Sequence, residues 1–289
     1  MRRILLALLL LLAVPAGAQE IKLASWNIAW LTLKPNGHPE LPRGVPGRRD
    51  EDFRLLRGYA TRLAADVVAL QEIDGAEAAA RIFDPAEWTI HLTDEPDVQR
   101  PGFAIRRHLR ATPQPDLRAL DLHPRARFSL RRGADILVEG HSGARLRLLS
   151  VHLDAGCRED DFSPTASRDC QQLERQARIL AGWAQARARE GVGFAILGDF
   201  NRRMTPDDDF VRILADAAPM DRATEGLSSP CWADARGGRP FVDHAFLGGP
   251  ARQWAVPRSF AVLVYAERGG RWRDRLSDHC PISLRLRLP

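Results

Sequence analysis

Six short stretches carry side chains able to hold a cation or move a proton: Asn27, Glu72, His152, Asp199 with Asn201, Asp243, and Asp278 with His279. The oxygens of Asn27, Glu72, Asp199, Asn201 and Asp278 are hard donors. They suit Mg²⁺, Mn²⁺ or Ca²⁺ rather than zinc, which prefers Cys and His. His152 and His279 supply imidazoles for proton transfer, and Asp243 could orient one of them, although the spacing leaves open which. A cation to neutralise phosphoryl oxygens, a base for water and an acid for a leaving oxygen are the parts that phosphoester hydrolysis requires. Singly, each residue has a plainer reading: Asn27 forms a turn, Glu72 is a solvated acid, His152 fills a core and Asp199 precedes a helix. Their recurrence at the ends of apolar runs favours the chemical reading.

Elements of one kind must deliver these groups. The run 21–27 alternates weakly and presents Asn27. Leu55, Leu56, Tyr59 and Leu63 recur at helical spacing within 54–65, and the strand Val67-Val68-Ala69-Leu70 then leads into Gln71-Glu72. Residues 146–153 alternate into His152. A helix follows, with Cys170, Leu173, Ala177, Leu180 and Ala184 at steps of three and four, ending near Glu190-Gly191. The apolar strand 194–197 stops at Gly198-Asp199-Phe200-Asn201, where glycine permits close approach. A shorter helix is predicted over 207–218 and strands over 241–247, 260–265 and 282–288. Segments 35–50 and 94–101 are rich in Pro, Gly and charge and read as surface loops. Helix followed by buried strand is the unit of a layered α/β protein.

The 289 residues, 45% hydrophobic and 27% charged, exclude global disorder and suffice for a packed core. Arg2 and Arg3, the eleven-residue apolar run Ile4 to Val14 and Ala16-Gly17-Ala18 read as a secretory signal over residues 1–18. That run is too short to cross a bilayer and no later segment approaches the roughly 20 residues needed, so no transmembrane anchor is expected. No linker divides residues 19–289, which read as one exported domain, periplasmic or extracellular. Loss of residues 1–18 lowers the formal charge from +5 to about +3. Only Lys22 and Lys34 are lysines, a global arginine bias that is weak evidence for a nucleic-acid partner. The four cysteines lack zinc-ribbon spacing, and export favours disulfides. Of three connectivities, Cys157–Cys170 with Cys231–Cys280 is favoured because the first pair closes a short polar loop.

Ser25-Trp26-Asn27, Gln71-Glu72, Ser150-Val151-His152-Leu153, Gly198-Asp199-Phe200-Asn201, Val242-Asp243-His244 and Ser277-Asp278-His279-Cys280-Pro281, in this order, resemble the endonuclease/exonuclease/phosphatase superfamily. The resemblance spans about residue 20 to the C-terminus and implies a four-layer α/β sandwich: two mixed sheets face to face, helices outside, the active site at one rim. It further implies Glu72 as principal metal ligand, aided by Asn27 and Asp278, with Mg²⁺, Mn²⁺ or Ca²⁺ as cofactor. Asp199 and Asn201 would position water and phosphate, and His279 would act as base or phosphate contact. His152 would stabilise phosphoryl oxygens or protonate the leaving group, Asp243 would pair with one histidine, and Arg131 or Arg132 would bind phosphate. Two departures stand out. His244 occupies a position usually aromatic or arginine, as a third site imidazole or as filler, and no tyrosine corresponds to the one many of the nucleases place near the phosphate. The expected activity is an exported metal-dependent phosphodiesterase, a nuclease by preference, with a sphingomyelinase-like or small phosphate-ester activity as the alternative. A catalytically dead binding module is disfavoured because every expected catalytic residue is present. No obligate protein partner is apparent.

Overall fold

The computed structural model describes residues 18–126, 129–232 and 240–289, so residues 1–17 of the expected signal lie outside them. In chain order the elements are β1 (Gln19–Leu31), α1 (Asp50–Leu63), β2 (Val67–Ile73), α2 (Ala76–Ala80), β3 (Trp88–Leu92), β4 (Arg100–Arg106), β5 (Arg110–Leu117), β6 (Gly133–Glu139) and β7 (Arg145–His152). Then follow α3 (Arg168–Arg189), β8 (Gly193–Asp199), α4 (Asp209–Ala217), β9 (Met220–Arg222), β10 (Asp243–Gly248), α5 (Ala251–Trp254), β11 (Ala261–Val262), α6 (Arg271–Arg275) and β12 (Ile282–Leu288).

Strand alternation builds the layers. In β1, Ile21 and Leu23 point to one face while Ala24, Trp26 and Ile28 point to the other. β8 likewise sends Ala195 and Leu197 inward and Phe194 and Ile196 outward. Three apolar layers result: one under α1 and α2, one between the two sheets, and one under α3 and α4. Three apolar layers separate four structural layers, which is the expected sandwich of two mixed sheets with helices outside. The sheets run β11-β12-β1-β2-β4-β3 and β5-β6-β7-β8-β10-β9. α1 places Phe53, Leu56, Tyr59 and Leu63 on its buried face. Burying each such side chain contributes roughly 1.5–3 kcal/mol.

Each sheet has a parallel pair joined through an outer helix, β1-α1-β2 and β7-α3-β8. Parallel strands deliver their C-terminal ends to the same rim, so Asn27 and Glu72 emerge beside His152 and Asp199. α3 begins on Ser167, whose hydroxyl accepts from the Cys170 amide, and α4 on Asp208, whose carboxylate accepts from the Phe210 amide. Both disulfides form as expected, Cys157 with Cys170 and Cys231 with Cys280.

Several strands escaped the sequence pattern. β5 is an exposed edge strand interrupted by Pro113 and Pro115, which an edge tolerates because one side of its ladder faces solvent. β4 begins with Arg100-Pro101-Gly102, so the expected 94–101 loop ends two residues early. Gly102 is required there, since a Cβ would strike the His91 carbonyl and Leu92 on β3. The expected strand 260–265 shrinks to Ala261–Val262, and α1 starts at Asp50 rather than Arg54.

Candidate active site

Register sets the site. β7 and β8 pair in register to their last residues, so His152 lies beside Asp199, and β10 runs antiparallel to β8 with Asp243 opposite Asp199. Gly198 makes this packing possible, because a Cβ would collide with the Val151 carbonyl on β7. On the other sheet, Asn27 pairs with Gln71, after which both ladders break. Ala29, Trp30 and Glu72 then take positive φ (41°, 56° and 63°), as does Asn201 (51°). Left-handed backbone at a non-glycine residue costs of order 1–3 kcal/mol and persists where surrounding contacts enforce it.

Those contacts are specific. The Trp30 amide donates to Glu72 Oε2 at 2.9 Å, and the Ala29 amide donates to Asn27 Oδ1 at 2.9 Å. Because Ala29 N–H can only donate, the Asn27 oxygen must face it and the amide nitrogen must face the cluster. That nitrogen donates to Glu72 Oε1 (3.1 Å) and Asp199 Oδ2 (3.0 Å), gathering two carboxylates around one amide. His152 Nε2 stands 3.7 Å from each of the same two oxygens. His279 Nδ1 donates to Asp243 at 2.9 Å, while its Nε2 approaches Asp199 Oδ2 at 3.6 Å. Asp243 therefore pairs with His279 and not His152. The Asn201 amide fixes Asp199 through Oδ1 (2.8 Å), and the Asn201 side chain donates to the Leu153 carbonyl (3.1 Å).

The two imidazoles are driven in opposite directions. Burial alone would lower His279, but Asp243 and Asp199 outweigh it and hold the ring well above its ordinary value, hence protonated. His152 falls well below, through burial, Arg131 and the His279 charge, and stays neutral. Burial pushes Asp199 up to about 7, against the pull of the His279 imidazolium.

The remaining expected residues separate. Asp278 stands at the mouth, 62% exposed, with Oδ1 3.8 Å from His279 Nε2. Arg131 donates to the Leu153 carbonyl at 3.3 Å and lines a cleft with Trp30, Asp97 and Gln99, whereas the guanidinium of Arg132 is turned to Glu95 and the Asp94 carbonyl. His244 lies behind the site. Its Nε2 donates to the Arg202 carbonyl (2.9 Å), its Nδ1 accepts from Thr224 (2.6 Å), and the ring packs on Phe200. Burial lowers it to about 3, so it is a neutral structural ring that fills space. Gln71 stands in the sequence as the neighbour of Glu72, yet it crosses between the sheets, donating to Ser150 Oγ at 3.0 Å while the Ser25 hydroxyl donates to its oxygen at 3.3 Å. A polar residue inside an apolar strand was its only signal.

Two places merit comparison as cation sites. Asp199, Asp243 and His279 have candidate ligand atoms within 4.8 Å of one another. There the imidazolium already supplies the positive charge, and its Nδ1 is committed to Asp243. Glu72 Oε1 and Asp199 Oδ2 offer two hard oxygens in a setting 12% and 2% exposed. This pair fits a divalent oxygen-loving cation better.

The sequence profile of the Endonuclease/Exonuclease/phosphatase family matches residues 24–279. The chain belongs to that family. It is a divalent-metal-dependent phosphoester hydrolase, the chemistry for which the gathered carboxylates and imidazoles are suited. Solved structures agree in fold. Truncated Caenorhabditis elegans TDP2 matches at 14% identity over 93% of this chain and 97% of its own, with a TM-score of 0.57. The human Nocturnin catalytic domain with bound sulfate matches at 14% identity over 92% and 93%, with a TM-score of 0.58. D. rerio TDP2 complexed with single strand DNA product matches at 18% identity over 92% and 98%, with a TM-score of 0.57. No curated protein matches significantly. Within this family member, no helix among the described residues is long and apolar enough to cross a membrane.

Proposed function

We propose that the protein is an exported nuclease that cleaves phosphodiester bonds of nucleic acid with Mg²⁺ or a similar cation such as Mn²⁺ or Ca²⁺. The observation that carries the substrate class is the charge of the cleft. Arg158, Arg203 and Arg273, with Trp232 and Phe241, line a cavity of about 190 Å³ that opens onto Asn201 and His279. Asp243 and Asp278 share this lining, with Asp243 committed to His279 and Arg203 paired with Glu159; the guanidinium groups of the wall favour a polyanionic backbone over the cationic head group of a choline phospholipid. The signal-like N-terminus and two disulfides support export.

In this reading Glu72 holds the cation, with Asp199 beside it and Asn27 keeping the two carboxylates together. The cation supplies Lewis-acid charge to the phosphoryl oxygens. Asp199, whose pKa burial has raised, accepts the proton of the attacking water, and Asn201 locks its rotamer. The His279 imidazolium, held by Asp243, neutralises charge developing on the phosphoryl group, and neutral His152 gives the proton on Nε2 to the leaving oxygen as its bond to phosphorus breaks, to be reprotonated by way of the proton that Asp199 took from water. Arg131, in the cleft lined by Trp30, Asp97 and Gln99, contacts the nucleic-acid backbone.

The mature protein is assayed on DNA, RNA, sphingomyelin, phosphatidylinositol and inositol phosphates with Mg²⁺ or Mn²⁺. Nucleic acid should be cut, with activity abolished by chelator and by His279→Ala. Failure to cut any nucleic acid, with turnover of a lipid or small ester, would overturn the nuclease assignment and keep the hydrolase.

A further inference from the structure

Arg48 lies in the stretch 35–50, which reads as a surface loop, yet its guanidinium is buried and all four of its hydrogen bonds end on main-chain carbonyls. Nη1 donates to the Trp30 carbonyl (2.7 Å), and Nη2 faces those of Ile28 (2.6 Å), Ala29 (2.8 Å) and Leu276 (2.7 Å). Burial lowers its pKa only to about 10, so the group remains charged at neutral pH.

The four carbonyls belong to two stretches that build opposite sides of the site. Residues 28–30 form the left-handed turn whose amides hold Asn27 and Glu72. Leu276 precedes Ser277, whose hydroxyl donates to the Asn27 carbonyl (2.8 Å) and accepts from the His279 amide (3.0 Å). A planar guanidinium with a fixed fork of donors can bond both stretches at once and hold them in one geometry.

We infer that Arg48 is a positioning residue that ties the 28–30 turn to the Leu276–His279 stretch and thereby fixes Glu72 against His279 across the cation site. The inference rests on the metal-centred reading above, so its test includes one measurement that needs neither metal nor substrate. Arg48→Ala and Arg48→Lys are compared with the wild-type mature chain after thermal melting establishes that they fold. In metal-free protein, hydrogen exchange should accelerate in both 27–31 and 276–280 in Arg48→Ala, with 146–152 and 193–199 still protected. Mn²⁺ affinity, read by calorimetry, and kcat should each fall about 10–100-fold with KM nearly unchanged, the range typical for groups that orient ligands. Added guanidinium ion at a non-denaturing concentration should restore part of the Ala variant's Mn²⁺ affinity.

Lysine presents its donors from a single nitrogen and should keep one stretch protected but not both. The inference is overturned if a folded Arg48→Ala chain retains wild-type exchange in either stretch, or wild-type Mn²⁺ affinity and kcat. Should Arg48→Ala fail to fold, Arg48→Lys decides, and wild-type values there overturn it equally. A wild-type chain that neither binds Mn²⁺ nor hydrolyses any ester would instead sink the metal-centred reading, while the exchange measurement would still decide whether Arg48 joins the two stretches.

Discussion

The units β1-α1-β2 and β7-α3-β8 share one plan, a parallel pair bridged by a helix with its polar groups at the same rim, but they finish differently. In the second unit the ladder stays in register to the end, and His152 and Asp199 are simply its last paired residues. In the first the ladder breaks after Asn27, and Glu72 is displayed from left-handed backbone. Glu72 is held by the Trp30 main-chain amide and the Asn27 side chain, whereas Asp199, held by the Asn201 main-chain amide and the same Asn27, has the His279 ring beside it as well. The difference fits the two tasks. A carboxylate that holds an ion needs its oxygens oriented by fixed donors, whereas a proton-transferring group needs a charged partner held beside it.

The largest test of this contrast is a pair of substitutions. Glu72→Gln and Asp199→Asn should each lower kcat by about 10²–10⁴-fold. Glu72→Gln should recover further than Asp199→Asn when Mn²⁺ is raised far above the wild-type requirement, because Asp199 also accepts the proton of the attacking water. Equal recovery in both would erase the distinction between the two units.

A smaller effect concerns anchoring. Cys157–Cys170 fastens the loop after β7 to α3, closing a sequence separation of 13 residues. Replacing both cysteines with serine should destabilise the fold by about 2–4 kcal/mol in denaturant titration, by loss of a loop constraint. Exchange protection should fall around 153–173 and hold in β1 and β2.

The effect that is smallest at neutral pH, and grows only on acidification, concerns titration. His244 backs the second unit through Arg202 and has its pKa lowered to about 3 by burial, so the folded chain keeps it neutral where the unfolded chain protonates it. Its contribution is therefore present above the unfolded value near 6.5 and is lost as pH falls toward 3, at up to about 1.4 kcal/mol per pH unit. His244→Gln, though less stable at neutral pH, should flatten the stability profile between pH 6 and about 4. An unchanged slope would show that other groups carry the acid sensitivity.

The legibility of the two units follows their endings. Gly198-Asp199-Phe200-Asn201 at the end of an apolar strand could be read locally, because a regular strand places its last residues predictably. β5 could not, since its prolines and polar surface belong to an edge and edges lack the apolar alternation that marks a buried strand. Arg48 was invisible for another reason: a Pro- and Gly-rich stretch signals the absence of a periodic element and says nothing about whether one side chain in it is buried. His244 was ambiguous for the same cause, and only the closeness of Thr224 and the Arg202 carbonyl makes it a filler.

By itself the sequence determined the alternation that forces three apolar layers, the disulfide-permissive cysteine spacing and the oxygen-and-imidazole inventory suited to a phosphoester and a hard cation. These depend on residue type and local period, which the chain carries along its length. Tertiary structure alone decided that Asp243 serves His279, that Asn27 offers its nitrogen to two carboxylates, and that a loop arginine spans the site. Each of those depends on distances between residues 36 to 228 positions apart in the chain, which packing sets and local sequence does not encode.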